Sequence, residues 1–211
     1  MAGFQEIFEI QQSMSVQNRR TVGQQISRSG QMRIAQYLTS VPWVFTVTPH
    51  NYLYYPQVRN VIQTIDNLDR QLPERVIFNS SNLSWFTKYQ GDVVAPLFTL
   101  NGTPIPNTQT INLNIGTTGA GYALKAGDFI MIGGYTYKVT ADVLRTVSPV
   151  AVSIHRPLIG TPTSGNTVYV GNDCSINFVA ESCPTYTLNP MTNGAFVQWD
   201  APFVFREDIT G

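Results

Sequence analysis

Alternation of apolar and polar residues runs along much of the chain and predicts a mainly β protein. In PWVFTVTP (42–49), Trp43, Phe45 and Val47 fall on one face and Val44, Thr46 and Thr48 on the other, the period of a half-buried strand. EIFEIQQSMSVQ (6–17) mixes Ile, Phe and Val with polar residues and fits a strand or a short helix; strand is favoured, because RRTVGQQISRSG after it carries no helical stripe. From Ser13 to Gln31 the chain is rich in Gln, Ser and Arg, with few core candidates beyond Val16, Val22 and Ile26. A long polar strand or arm fits this tract, and one of its faces must find a partner. MRIAQYL, RVIFN and LSWFTKYQG read as further strands.

One segment has a helical period. In YPQVRNVIQTIDNLDR, Val58, Val61, Ile62, Ile65 and Leu68 form one apolar stripe, and Pro56 stands at the start, where its missing N–H costs nothing. The helix is predicted over Pro56–Arg70, stopped by Leu72-Pro73-Glu74. Beyond Val93 the texture changes to short strands separated by turns: TINLNI, DFIMIG, YTYKVT, VAVSIHRPL, TVYVG and CSINFVA. That spacing suggests a small barrel or sandwich. Two closing strands surround Asn193-Gly194. No 20–50-residue period repeats, which excludes a solenoid.

Composition narrows the partners. Charged residues make up 12% of the 211 positions, and 13 basic residues balance 13 acidic ones. Typical soluble domains carry about 25%. Such a chain has little field to draw it to nucleic acid, and it suits a subunit packed against neighbours better than a free monomer. The alternative is a sparsely charged secreted β-protein. Cys174 and Cys183 bracket a strand too long to bridge without a bend, so free thiols are expected. The N-terminus lacks a signal-peptide pattern, and no apolar run reaches the roughly 20 residues of a membrane span. Synthesis in a cytosol, without a membrane anchor, is the expectation.

Catalytic and cofactor chemistry finds little support. LKAGDFIMIGGYTYKVTADV (124–143) is glycine-rich, but it has no G-x-x-x-x-G-K-[ST] and no G-x-G-x-x-G, and no helix pattern follows to present N–H groups to a phosphate. Gly133-Gly134 reads instead as a hairpin turn. Ser153 and His155 share a strand without a nucleophile elbow around the serine. There is no C-x-x-C and no H-x-x-x-H, and the acids are scattered. A non-enzymatic chain without cofactor or metal is expected. Two features suit contacts. Arg19, Arg20, Arg28 and Arg33 form the one basic concentration, and HNYLYYP supplies Tyr52, Tyr54 and Tyr55. The tyrosines fit a stacking platform for sugar or nucleic acid, an intersubunit contact, or a loop packed on its own helix.

The succession NRRTVGQQISRSG, PWVFTVTP, PQVRNVIQTIDNLDR, LSWFTKYQG, LKAGDFIMIGGYTYKVTADV, VSIHRPLI and FVQWDAPFVFREDIT resembles structural tail proteins of contractile-tailed bacteriophages, those in or next to the baseplate and close to the tail tube. The resemblance runs over nearly the whole chain, on packing and turn motifs. It implies a tail-tube-like body, a β-sandwich or half-barrel with one flanking helix, formed by 1–95 plus 181–211, with a small β-domain inserted at 96–180. It further implies a ring, six-fold at the level of the family, in which long hairpins of several subunits pair around a lumen that DNA traverses. The neighbours would be baseplate hub and tail-tube proteins, and the location a virion assembled in a bacterial cytoplasm. The alternative is a receptor- or carbohydrate-binding β-module of a virion.

Overall fold

The computed structural model describes residues 3–18, 22–26, 32–36, 41–67 and 72–209. The chain starts in a helix, α1 (Gly3–Glu9), and not in the strand expected over 6–17. Phe4, Ile7 and Phe8, at i, i+3 and i+4, lie on one helical face and all three are buried. The strand begins only at β1 (Gln11–Gln17). Next come β2 (Val22–Ile26), β3 (Met32–Gln36) and β4 (Val44–Pro49), where Phe45, Val47 and Pro49 are buried in alternation. β5 (Leu53–Tyr54) leads directly into α2 (Tyr55–Asn67), the helix that the apolar stripe predicts. Its Val61 and Ile65 join the core of the body, while Val58 and Ile62 pack with Val197.

After β6 (Glu74–Ile77), LSWFTKYQG forms no strand but a single helical turn, α3 (Ser84–Thr87). Leu83 and Phe86, three residues apart, both face inward: Leu83 is fully buried, and Phe86 meets Phe45, Phe78 and Phe129 at 4.9–5.6 Å between ring centres. Spacing by three suits a helical turn and would split the pair across a strand.

Eight strands follow: β7 (Phe98–Leu100), β8 (Thr110–Ile115), β9 (Tyr122–Leu124), β10 (Phe129–Ile132), β11 (Tyr135–Lys138), β12 (Val143–Leu144), β13 (Val150–Ser153) and β14 (Thr167–Val170). Six of them form one sheet in the order β11-β10-β14-β7-β8-β13. The outer strands β11 and β13 then meet through the bridge Val139–Ile154 and the bonds from Thr140 N to Ser153 O and His155 N to Lys138 O, both 3.0 Å. The sheet therefore closes on itself as a small barrel around Phe98, Leu113, Ile130, Tyr137 and Val152. Gly133-Gly134 is the β10–β11 turn, both residues at positive φ, as the sequence predicts. At Gly91 a Cβ would lie 2.7 Å from the backbone oxygen of Ala123. Gly91→Ala is expected to lower stability by about 1–3 kcal/mol, measurable as a shift of the urea midpoint.

The last four strands are β15 (Ser175–Ser182), β16 (Tyr186–Met191), β17 (Gly194–Trp199) and β18 (Phe203–Glu207). β15 completes the body sheet, ordered β1-β4-β18-β15-β6. The boundary expected at 180 thus lies earlier, because β15 pairs with β6 and β18 over its whole length. The insert ends near the 3-10 turn Gly171–Asp173. The fold is mainly β, with a curled sheet, a closed barrel and α2 on the flank. The body core is aromatic: Phe8, Phe45, Phe78, Phe178 and Phe205 lie with ring centres 5.1–6.2 Å apart. Cys174 is a buried free thiol, so it is not bonded to Cys183, and burial pushes its proton affinity well up.

Body and barrel are joined by a buried polar clasp. Arg156 of the barrel is fully buried and donates to both carboxylate oxygens of Glu207 on β18, one of them at 2.6 Å. It also donates to Val41 O (2.8 Å) and Thr136 O (2.9 Å). Glu207 accepts Trp43 N at 3.0 Å, and Trp43 Nε1 donates to Thr136 O at 2.9 Å. The Arg156 guanidinium lies 5.1 Å from the centre of the Tyr137 ring, whose hydroxyl burial pushes up to about 12. Val41 and Trp43 stand just before β4, so the clasp fixes the barrel to the start of that strand.

Candidate assembly interface

Backbone pairing is the raw material of this interface, because the side chains of β2 and β3 lie outside the described ones. β1 pairs antiparallel with β4, from Gln11–Pro49 to Gln17–Val44. β2 pairs with β3 in the same sense, from Val22–Gln36 to Ile26–Met32. β4 also pairs with β18, so it has a strand on each side. Among the described residues, β2 and β3 find no third strand and form a two-stranded sheet of their own. Such a ribbon has two rows of unpaired N–H and C=O groups and is at best marginally stable alone in water.

The outer edges of the body sheet are treated differently. At β6 the side-chain amide of Gln5 stands in for a neighbouring strand: Ile77 N donates to Gln5 Oε1 (2.8 Å) and Gln5 Nε2 donates to Ile77 O (3.0 Å). Glu74 accepts the Phe4 N–H with both oxygens, at 3.1 and 3.2 Å. α1 therefore covers the β6 edge. β1, at the opposite edge, pairs only with β4 among the described residues.

A third edge belongs to the small sheet β16-β17-β5. β16 is exposed along nearly its whole length, with Leu188 and Met191 on the surface. Pro190 removes one backbone donor from it, a common means of blunting an edge.

The sequence-derived contact residues separate here. Tyr52, Tyr54 and Tyr55 do not make one flat platform. Tyr52 is exposed, at positive φ, with its ring edge-on to Phe196 at 6.1 Å. Tyr54 turns onto the β16–β17 tip, donates its hydroxyl to Asn193 O at 2.6 Å and covers Gly194, where a Cβ would come 2.4 Å from its ring. Tyr55 packs against Val58, Ile62 and Val197. Arg33 lies in β3 opposite Gln25; Arg19, Arg20 and Arg28 lie outside the described residues. The glycine-rich 124–143 stretch is a scaffold. Asp128 is fully buried and accepts Lys125 N (2.8 Å) and Gln90 N (2.9 Å), which ties the turn before β10 to the segment after α3. Sequence patterns did not reveal Gln5, whose role depends on a strand 72 residues away, nor Arg156, whose partner Glu207 lies 51 residues away.

Burial raises the carboxyl pKa of both Asp128 and Glu74, against the backbone N–H groups that lower it. Each group therefore holds its proton in the folded chain at pH values where the unfolded chain has lost it. The folded state binds more protons there, so stability falls as pH rises from the ordinary carboxyl range through the raised values. Melting temperature measured between pH 4 and 6 is expected to decline, and Asp128→Asn with Glu74→Gln to flatten the decline.

Among the described residues no group of three or more His, Cys, Asp or Glu is placed to hold a metal ion, and no helix is long and apolar enough to cross a membrane. No family model matches the chain. A search of curated proteins likewise finds no match.

Proposed function

We propose that this chain is a non-enzymatic structural protein of a contractile phage tail, forming a ring where the baseplate hub meets the tail tube. The observation that carries this reading is the β2–β3 ribbon. Its two strands pair with each other, and no other strand described in the chain pairs with either of them. Ribbons from neighbouring copies, set side by side, satisfy each other's open rows, and a closed ring leaves no edge over. The low and balanced charge suits surfaces that become buried between subunits and a lumen that lets DNA slide.

In this reading the ring acts as a template. Its strand edges and loops set the register on which tube subunits polymerise, and its contacts hold hub and tube together until contraction. The clasp at Arg156 and Glu207 keeps the barrel in one orientation relative to the body sheet, so every copy offers the same surface.

Negative-stain electron microscopy of the purified chain tests this. Annular particles of uniform size are expected. A dispersed monomer that binds bacterial surface polysaccharide would support the receptor-binding alternative instead.

A further inference from the structure

We propose that the cleft between the end of α1, the start of β1 and α3 binds a neutral oligosaccharide, with the ring of Trp85 as its stacking platform. All of the residues that form it belong to one subunit, so the inference stands apart from the ring reading and is tested apart from it.

The cleft holds about 450 Å³, within the range of roughly 300–1,000 Å³ usual for small-molecule sites. Its polar lining consists of Glu9, Gln11, Gln12, Ser13, His50 and Asn82; Met14 and Trp85 are its apolar members. Trp85 is 61% exposed, yet it is held in place: its Nε1 donates to Asn82 O at 2.8 Å. Asn82 is itself tied to Glu9 O at 3.3 Å. The Trp85 ring meets Phe86 at 75° with 5.9 Å between centres, and an edge-to-face contact covers at most one of its two faces. An aromatic side chain already fixed in position loses little freedom when a ligand covers it.

The chemistry of the lining selects the ligand. An aromatic face is electron-rich, and the axial C–H groups on one side of a pyranose ring are weakly positive, so the two stack. Around the indole stand amide, carboxylate, imidazole and hydroxyl groups, the mixture of donors and acceptors that a set of sugar hydroxyls requires. Glu9 Oε1 accepts Gln5 Nε2 at 2.9 Å, and a carboxylate has capacity for further donors. Gln11 Oε1 is buried without a hydrogen-bond partner; a turn of the amide toward the cleft lets a ligand hydroxyl satisfy it. Other occupants match less well. A phosphate or an acidic peptide meets the Glu9 carboxylate, and no Lys or Arg is among the described lining residues to offset it. A cationic ligand finds a single carboxylate, already bonded to Gln5. The buried centre of a protein–protein contact is apolar, whereas here Met14 and Trp85 alone are.

Saturation-transfer NMR and titration calorimetry of the full chain with cellotriose, maltotriose and triacetylchitotriose test the site. At least one of the three is expected to bind with a dissociation constant on the order of 1 mM, its C–H protons on one ring face receiving the most saturation. Trp85→Ala is expected to weaken that binding roughly 10-fold while the melting temperature stays unchanged. Trp85→Phe retains part of the affinity. Gln12→Ala, which truncates an exposed side chain, costs roughly 2–10-fold. No binding of any of the three at about 10 mM, or binding that Trp85→Ala and Gln12→Ala leave unchanged, overturns the site and leaves the ring standing. Wild-type rings that bind no sugar and that Trp85→Ala disperses overturn it as well, since the cleft is then a subunit contact. Sugar binding by a chain that stays monomeric at every concentration supports the site and overturns the ring.

Discussion

Glu207→Ala is expected to lower stability by about 3–5 kcal/mol, the cost of leaving a buried charge without its partner. For a chain of this size that is a drop in melting temperature of roughly 6–20 °C. Arg156 has no water to turn to: its side chain is 1% exposed, and Glu207 takes bonds from its two terminal nitrogens. The substitution also strips the acceptor from Trp43 N. The exposed Arg206–Glu181 pair is the internal control. Its side chains are 45% and 48% exposed, so Glu181→Ala is expected to change stability by less than about 1 kcal/mol. Combining Arg156→Met with Glu207→Gln removes both charges and should recover much of the loss, because the penalty lies in the orphaned charge more than in the pair. Differential scanning calorimetry of the three variants beside the wild type checks this. If Glu207→Ala melts like wild type, the clasp does not hold body and barrel together.

The second large effect concerns assembly. Replacing residues 22–36 with a short Gly-Ser turn is expected to abolish ring formation while the body and barrel remain folded. The ribbon forms a sheet by itself, whereas the cores are built from α1, β1, β4, α2 and β6 onward. The melting temperature of the dilute subunit should therefore stay close to wild type while the assembled species disappears. A milder variant, Gln24→Pro, removes one backbone donor from β2 and should weaken assembly in the same direction. Size-exclusion chromatography with light scattering separates the outcomes. Rings formed by the shortened chain would show that the ribbon is not the contact.

Much of the fold was legible in local periodicity. Trp43, Phe45 and Val47 announced β4 by alternating. Val58, Val61, Ile62 and Ile65 announced α2 by helical spacing, and Gly133-Gly134 announced the β10–β11 turn. Two segments went the other way for one reason: Phe4, Ile7 and Phe8, like Leu83 and Phe86, are apolar groups spaced by three and four within runs too short to set a period apart from noise. Glu6–Gln17 therefore read as one strand where a helix and a strand meet. The barrel boundary slipped because β15 has the same texture as the barrel strands, and only its pairing with β6, about 100 residues earlier, assigns it to the body. The site was legible in part. The strand texture of the polar 13–31 tract matches β1 and β2, but the covered edge at Gln5 and the Arg156–Glu207 clasp depend on contacts between distant segments, which no local pattern encodes. The tyrosines were visible as a cluster, yet folding sends Tyr54 and Tyr55 onto their own chain and leaves Tyr52 outside.

Native mass spectrometry of the full chain across a concentration series addresses the ring most directly. The account predicts a closed species at a fixed integer multiple of the 23.4 kDa chain, six at the level of the resembled family, with no continuous ladder above it. A monomer persisting at high concentration, or an open ladder of every size, would contradict it.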